Sequence, residues 1–210
     1  MNDDVIYDAR IELIDFLVEV FWDVPTEEFL GTLLAGEIRT PEESVNEGLD
    51  RGFEHLRAFV AANEGADPDA VRERVRAEYS RAFVGPRPPV LPHESYYRED
   101  SDFLGSGLAA VESSYAAAGW SPPEDYPEES DFVAVELAFL RALVDRQRRG
   151  DGDAFGYERV FLEEHLGRWV GAFAADLREE TDCDLFLAAG EILEGLVEFE
   201  DEIVSQQVRS

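Results

Sequence analysis

The chain contains no lysine, since all 18 basic residues among its 210 are arginine. A phosphate-binding P-loop and a Schiff-base nucleophile both require lysine, so two large classes of enzyme are excluded. Cys183 is the only cysteine, which rules out an intrachain disulfide, a CxxC redox pair and a multi-thiolate zinc site. We therefore expect the reducing environment of the cytoplasm.

Long uncharged apolar runs are also missing, because no stretch approaches the ~18 apolar residues of a membrane span. A secretion signal has a basic start and an uncharged core, whereas the first twenty residues here carry several carboxylates. These carboxylates are Asp3, Asp4, Asp8, Glu12 and Asp15. We expect a protein that stays inside the cell without stable membrane insertion.

Acidic residues are abundant: 48 aspartates and glutamates give a formal net charge of −30. A chain this acidic repels phosphate and has no basic stripe, so we expect no nucleic-acid partner. The charge indicates either an acidic surface for a basic partner or the hydrated surface of proteins from salt-in halophiles. The absence of lysine favours the halophilic interpretation.

Apolar spacing and capping signals predict an all-α fold, a bundle-like single domain of about eight helices over residues 1–210. No segment alternates as a strand does, and the proline-rich segment from Gly85 to Asp102 is predicted to be non-helical. Four early predicted boundaries are a first helix over residues 4–21, a second from Pro25, a third capped by Thr40, and a fourth opened by Asp67-Pro68. Later helices are predicted to start at a Ser101-Asp102 cap and to cover residues 131–149, 155–178 and 185–206.

The first informative motif spans a helix end and the turn after it. Residues 79–86 read Tyr-Ser-Arg-Ala-Phe-Val-Gly-Pro, and residues 92–97 read Pro-His-Glu-Ser-Tyr-Tyr. Tyr79 and Phe83 lie one turn apart on one helix face, which predicts core positions, and the Gly-Pro pair ends the helix. The turn then presents four side chains: Glu94, Ser95, Tyr96 and Tyr97.

Two further motifs follow along the chain. Residues 129–137 read Glu-Ser-Asp-Phe-Val-Ala-Val-Glu-Leu, and Asp131 is predicted to cap the helix that starts there. Residues 161–169 read Phe-Leu-Glu-Glu-His-Leu-Gly-Arg-Trp. In order and spacing, the three motifs resemble the signature of the TorD/DmsD/NarJ family of molybdoenzyme-maturation chaperones over about residues 79–170.

This resemblance implies a helical groove that binds the twin-arginine signal peptide of a molybdoenzyme catalytic-subunit precursor, with the chaperone as a monomer or a homodimer. The family often has a proline and a histidine where this chain has Ser130 and Phe132, so its Asp-His pair is not reproduced. The peptide-binding residues implied are Glu94, Ser95, Tyr96, Tyr97, Trp120, Asp131, Phe132 and Glu136.

Several of these side chains also have structural interpretations. Leu137, Trp22 and Trp169 are predicted to lie in the core, and His165 is predicted to be a packed, hydrogen-bonded histidine. Trp120, in a second proline loop that includes Pro127, is predicted to be available to a peptide. Glu136 falls on an apolar helix face and needs a partner, for which Arg141, Arg81 or an arginine of the peptide are candidates.

No arrangement typical of catalysis is present, so we expect neither an enzyme nor a metal site or cofactor. The three histidines form no HExxH or Glu-x-x-His pattern, and there is no GxSxG. Three functions stay open: an export chaperone for a dimethyl sulfoxide or trimethylamine oxide reductase, a nitrate-reductase-type assembly chaperone, and a non-catalytic helical scaffold or regulatory module.

Overall fold

A computed structural model describes residues 3–36, 40–41, 43–98, 106–123 and 129–207. Over these ranges the chain is helical and contains no strand, which confirms the predicted all-α class. The one β-type contact recorded there is an isolated antiparallel bridge between His93 and Phe132. None of the helices in these ranges has both the length and the apolar composition of a membrane span.

Helices make up most of the described residues. Two of them, α8 and α9, are joined by a π-helical turn (Leu162–Leu166), and when this run is counted once the described residues form nine helices. In chain order the segments are α1 (Asp3–Trp22), α2 (Glu27–Leu34), α3 (Glu47–Ala62), α4 (Pro68–Phe83), α5 (Glu94–Tyr97), α6 (Ser106–Ala117), α7 (Val133–Arg148), α8 (Asp153–Phe161), α9 (Gly167–Glu180) and α10 (Asp184–Gln207).

The helix starts show which capping signals were correct. Asp67 caps α4 with Pro68 at the first helical position, as predicted. The predicted capping box at Thr40 is wrong, because α3 begins only at Glu47, where the Asn46 side chain accepts a hydrogen bond from the Leu49 N–H. Pro25 likewise lies before the true cap of α2, which is Thr26. In both cases a nearby polar side chain satisfies the free N–H groups better than the predicted residue.

The proline-rich segment after α4 is partly helical. The segment from Gly85 to Asp102 was predicted to be non-helical, but it contains the single turn α5. The predicted Ser101-Asp102 cap of α6 lies outside the described residues, as does Pro127 of the second proline loop.

The chain forms two compact units, each with its own core. The first unit comprises Met1–Val18, Pro92–Gly171 and Leu196–Ser210, and the second comprises Glu19–Leu91 and Ala172–Gly195. In the second unit, Tyr79 and Phe83 contact each other and Phe186 at ring-centroid distances of 5.0–6.2 Å. Tyr79 is buried as predicted, whereas Phe83 is only half-buried. The core prediction for Trp22 is wrong, because its side chain is 40% exposed while its neighbour Phe21 is buried.

The first unit encloses a polar cluster that the sequence did not reveal. Arg10 is buried and donates from Nε and Nη2 to the carboxylates of Glu200 and Glu158, and from Nη1 to the Gln147 side chain. Burial and the nearby Glu200 charge raise the pKa of Glu158 well above its usual value. One arginine therefore faces two buried carboxylates.

In the second unit, α3 and α10 approach so closely that glycine is required at their contact. A Cβ atom on Gly195 would lie 2.4 Å from the Leu49 backbone nitrogen and 2.8 Å from Asn46 Oδ1. The Asn46 amide also donates to the Gly195 carbonyl at 2.8 Å. The close approach thus supports the same asparagine that caps α3.

We expect Gly195→Ala to lower the free energy of unfolding by about 1–3 kcal/mol, because the added methyl group overpacks this contact. Gly156→Ala is the matched control: Gly156 lies inside α8 with open space around its Cβ position, so alanine should stabilise by about 0.5–1 kcal/mol. Urea unfolding in molar KCl measures both changes. Equal effects of the two substitutions would contradict the close packing of α3 on α10.

Candidate functional site

The later part of the first motif, residues 92–97, folds against the second motif in the first unit. The Glu94 N–H donates to the Asp131 carbonyl at 3.0 Å, and the Val133 N–H donates to the Pro92 carbonyl at 2.9 Å. These backbone bonds join α5 to the start of α7. Residues nearly forty positions apart therefore belong to one site.

Asp131 links the two motifs through its side chain. Its carboxylate, 1% exposed, accepts from the Ser95 N–H and from His93 Nδ1, both at 3.1 Å. Burial alone raises the pKa of Asp131, but the hydrogen bonds from His93 and Ser95 outweigh it and hold this pKa below its usual value. Asp131 was predicted to cap the helix of its own segment; instead it caps α5, because α7 begins two residues later with Phe132 at the cap position.

Glu94 is the centre of the buried polar network. With no exposed surface, its carboxylate accepts from Arg98 Nη1 at 2.6 Å and from His165 Nδ1 at 2.9 Å. His165 Nε2 lies 2.8 Å from the Ser114 hydroxyl oxygen, so the histidine is packed and hydrogen-bonded as predicted. Arg98 Nη1 also donates to the Glu164 carbonyl at 2.9 Å.

Glu136 is a second carboxyl group without exposed surface. Its Oε2 accepts from the Trp169 indole N–H at 3.2 Å, while its Oε1 has no hydrogen-bond partner among the described residues. Burial, followed by the charge of Glu94, raises the pKa of Glu136 well above its usual value. A Glu136 carboxyl group that keeps its proton avoids placing a second buried negative charge beside Glu94.

The two intramolecular partners predicted for Glu136 bind elsewhere. Arg141 pairs with Asp15 and Arg81 pairs with Glu78. Trp169, which was predicted only as a core residue and is fully buried, takes the partner's role. The neutral indole N–H of Trp169 therefore stands where the sequence predicted a cationic partner.

Aromatic side chains cover this network. Tyr97 stacks on Trp169 with ring centroids 5.6 Å apart, and Tyr96 packs edge-on against Tyr97 at 5.1 Å. Tyr96 is 58% exposed. Phe132 is buried with its ring centroid 5.3 Å from that of His93. The buried acids thus lie beneath a surface that presents an accessible aromatic ring.

The predicted site residues are not all in one cluster. Contacts in the structure bring together Glu94, Ser95, Tyr96, Tyr97, Asp131, Phe132 and Glu136. Trp120 is half-buried and packs on Tyr115 and Phe139, at 4.8 and 5.3 Å. Its ring therefore belongs to a neighbouring aromatic cluster.

Three residues of the site were not predicted as functional: Arg98, His165 and Trp169. Two of them belong to the third motif, which the π-turn shapes. A Cβ atom on Gly167 would lie 2.7 Å from the Leu162 carbonyl oxygen, so the glycine accommodates the wider turn. The Gly-Arg-Trp sequence at residues 167–169 is the feature of the sequence that could have indicated the π-turn and the role of Trp169. Throughout the described ranges, the site included, no group of three or more histidine, cysteine, aspartate or glutamate side chains is arranged to hold a metal ion.

We expect Glu136→Gln to flatten the pH dependence of stability. Because the folded-state pKa of Glu136 is raised, the folded protein keeps a proton that the unfolded chain releases above its ordinary pKa. The free energy of unfolding therefore falls as pH rises towards the folded-state pKa, and the glutamine variant should lose that fall. Urea unfolding between about pH 5 and pH 8 measures the slope.

Glu191→Gln is the control, because the pKa of Glu191 is shifted in the direction opposite to that of Glu136. Although burial raises the pKa of Glu191, its bonds to Arg178 and Arg51 lower it overall, so this carboxylate stabilises the fold above its ordinary pKa. Its loss should lower stability evenly from about pH 5 to pH 8 without changing the slope. If the free energy of unfolding of Glu136→Gln changed with pH as steeply as that of the wild type, a protonated Glu136 would be contradicted.

Comparison with known proteins gives consistent results. Residues 42–175 match the family described as nitrate reductase delta subunit. The chain is also similar to proteins named "Chaperone protein TorD" from strains M66-2 and O395 of Vibrio cholerae serotype O1, at 22% identity over 196 residues, which cover 90% of this chain and 88% of each relative. Since the family match spans well over half of the chain, the protein belongs to the nitrate reductase delta subunit family, and the resemblance to TorD/DmsD/NarJ chaperones is confirmed.

Proposed function

We propose that this protein is a cytoplasmic, non-catalytic chaperone that assists the maturation of a molybdenum-containing oxidoreductase. It binds the twin-arginine signal peptide of the catalytic-subunit precursor and holds it back until maturation is complete. Membership of the family and the chaperone names of the relatives support the maturation role. The observation that carries the peptide-binding role is that residues 92–97 and the second motif together form a cluster of buried acids beneath the exposed ring of Tyr96.

The proposed peptide surface divides by chemistry. Tyr96, Tyr97, Trp120 and Phe132 supply apolar contact for the hydrophobic part of a leader, and Ser95 supplies a polar edge. The carboxylates of Glu94, Asp131 and Glu136 attract the arginines. Because these carboxylates have almost no exposed surface, an arginine reaches them only when α5 moves.

High salt shifts the balance between these contacts. In molar salt the Debye length falls to ~3 Å, so only direct ion pairs persist, while apolar burial is retained or strengthened by strongly excluded salts. Phe132, at the position where the family often has histidine, is an apolar residue packed against His93 inside the site. We propose that recognition here depends on the apolar run of the leader more than on its arginines.

Leader variants measured in molar KCl test this balance. Replacing part of the apolar run with serine should weaken binding more than replacing Arg-Arg with Ala-Ala, because apolar contact supplies most of the affinity. Isothermal titration with synthetic leaders gives both affinities. The proposal is wrong if the Ala-Ala leader loses far more affinity than the serine leader.

The proposed client is a reductase of the dimethyl sulfoxide or trimethylamine oxide type, as the TorD names of the relatives suggest. A nitrate reductase catalytic subunit is the second candidate, favoured by the description of the matching family. Both candidate clients are molybdoenzymes, so the identity of the protein captured with the chaperone distinguishes them.

A pull-down from native high-salt lysate, followed by mass spectrometry, distinguishes the clients. Recovery of a reductase precursor that retains its twin-arginine leader supports the export chaperone. A nitrate reductase subunit supports the second candidate. If the bait captures no molybdoenzyme, the maturation role is contradicted and the helical scaffold or regulatory module is favoured.

Tyr96→Ser tests the exposed aromatic contact. Loss of the ring should weaken leader binding about tenfold or more, because truncation of an exposed aromatic anchor typically costs this much at a binding surface. Val160→Ser is the matched control, since Val160 is a 45% exposed apolar residue on α8. Fluorescence anisotropy gives the affinities, and thermal unfolding should show both variants folded. Equal affinities of the two variants would exclude Tyr96 from the peptide surface.

A further inference from the structure

Arg98 places a guanidinium group within the buried acid network. Its Nη1 donates both to Glu94 Oε1, at 2.6 Å, and to the Glu164 carbonyl, at 2.9 Å. Only 13% of its side chain is exposed, and Glu94 has no exposed surface. Within the described residues, Arg98 is thus the cation that pairs with Glu94.

The acceptors around this guanidinium suit any arginine. A guanidinium group is planar and carries five N–H donors in a fixed fork, so it binds best where several oxygens converge. Glu94 and the Glu164 carbonyl supply two such oxygens. A third oxygen belongs to the same buried network, because Glu136 Oε1 has no hydrogen-bond partner among the residues described.

The element that carries Arg98 is also easy to displace. Arg98 is the residue that ends α5, and α5 is only one turn long. A single turn has little stability of its own, so α5 depends on the Asp131 cap and on the bonds of Arg98. An incoming group that replaces those bonds can therefore release the end of this turn.

We propose that Arg98 occupies, in the peptide-free protein, the site that receives an arginine side chain of the leader, and that binding exchanges one guanidinium for the other. This inference rests on the proposed function and identifies how its peptide site is kept closed. An exchange keeps Glu94 paired before and after binding, which avoids the large cost of a buried, unpaired carboxylate.

Self-occupancy lowers the apparent affinity for the leader. If the site is open for a fraction of the time, the apparent dissociation constant rises by the inverse of that fraction. An open fraction of about one tenth thus weakens binding about tenfold. Because Arg98 must be displaced, a peptide without a well-placed arginine binds too weakly to open the site.

Removal of the resident guanidinium tests the proposal. Arg98→Gln should bind a synthetic peptide, with two adjacent arginines and an apolar run of about 12 residues, about tenfold more tightly than the wild type. A Lys-Lys version should gain much less, since an ammonium group cannot form the same fork. Isothermal titration in molar KCl gives the four affinities.

Arg168→Gln is the matched control for the lost positive charge. Arg168 binds the Glu163 carbonyl and the Glu164 side chain next to the same π-turn, but none of its recorded contacts is with Glu94. Its removal should leave the affinity for the Arg-Arg peptide within about twofold of the wild type. An equal gain in both variants would mean that net charge alone is responsible and would overturn the proposal.

The remaining outcomes separate the two hypotheses. Weaker or unchanged Arg-Arg binding by Arg98→Gln, while the wild type binds, overturns the exchange but leaves the proposed function intact. Failure of both proteins to bind the peptide overturns the proposed function itself. Should Arg98→Gln unfold, Arg98→Lys keeps a charge with a poorer fork, and the exchange then requires an intermediate gain in affinity with thermal stabilisation by the Arg-Arg peptide.

Discussion

The carboxylate of Glu94 has no contact with solvent, and the candidate site is built from the groups that neutralise or hydrogen-bond this buried charge. Arg98 and His165 donate to it, and Glu136 lies beside it. A buried charge without such partners would destabilise the fold severely, so the elements that carry these groups must meet. The short turn α5, the helix α7 and the π-turn are held in place by this single requirement.

A second buried cluster in the same unit shows a similar imbalance. Arg10 faces Glu158 and Glu200, so here too acids outnumber the cation that neutralises them. In both clusters a carboxyl pKa is raised and a neutral hydrogen-bonding side chain, Gln147 or Trp169, completes the network. The excess of acidic over basic residues in the sequence thus extends to the interior of this unit.

Local signals predicted the helical class and several helix ends, because capping and apolar spacing act over a few residues. Asp67-Pro68 is one such signal, and the core positions of Tyr79 and Trp169 follow from helical spacing. The partner of Asp131 was beyond reach, since its carboxylate caps a turn 36 residues earlier. The π-turn and the pairing of Glu94 with His165 likewise depend on contacts between distant residues, which periodicity does not record.

The first compact unit is assembled from three separate pieces of the chain, residues 1–18, 92–171 and 196–210. The contact of Arg10 with Glu200 spans 190 positions. During synthesis from the N-terminus, this unit cannot close until its last helix has emerged from the ribosome. The helix α1 therefore keeps Arg10 exposed to water until Glu200 has been synthesised and can pair with it.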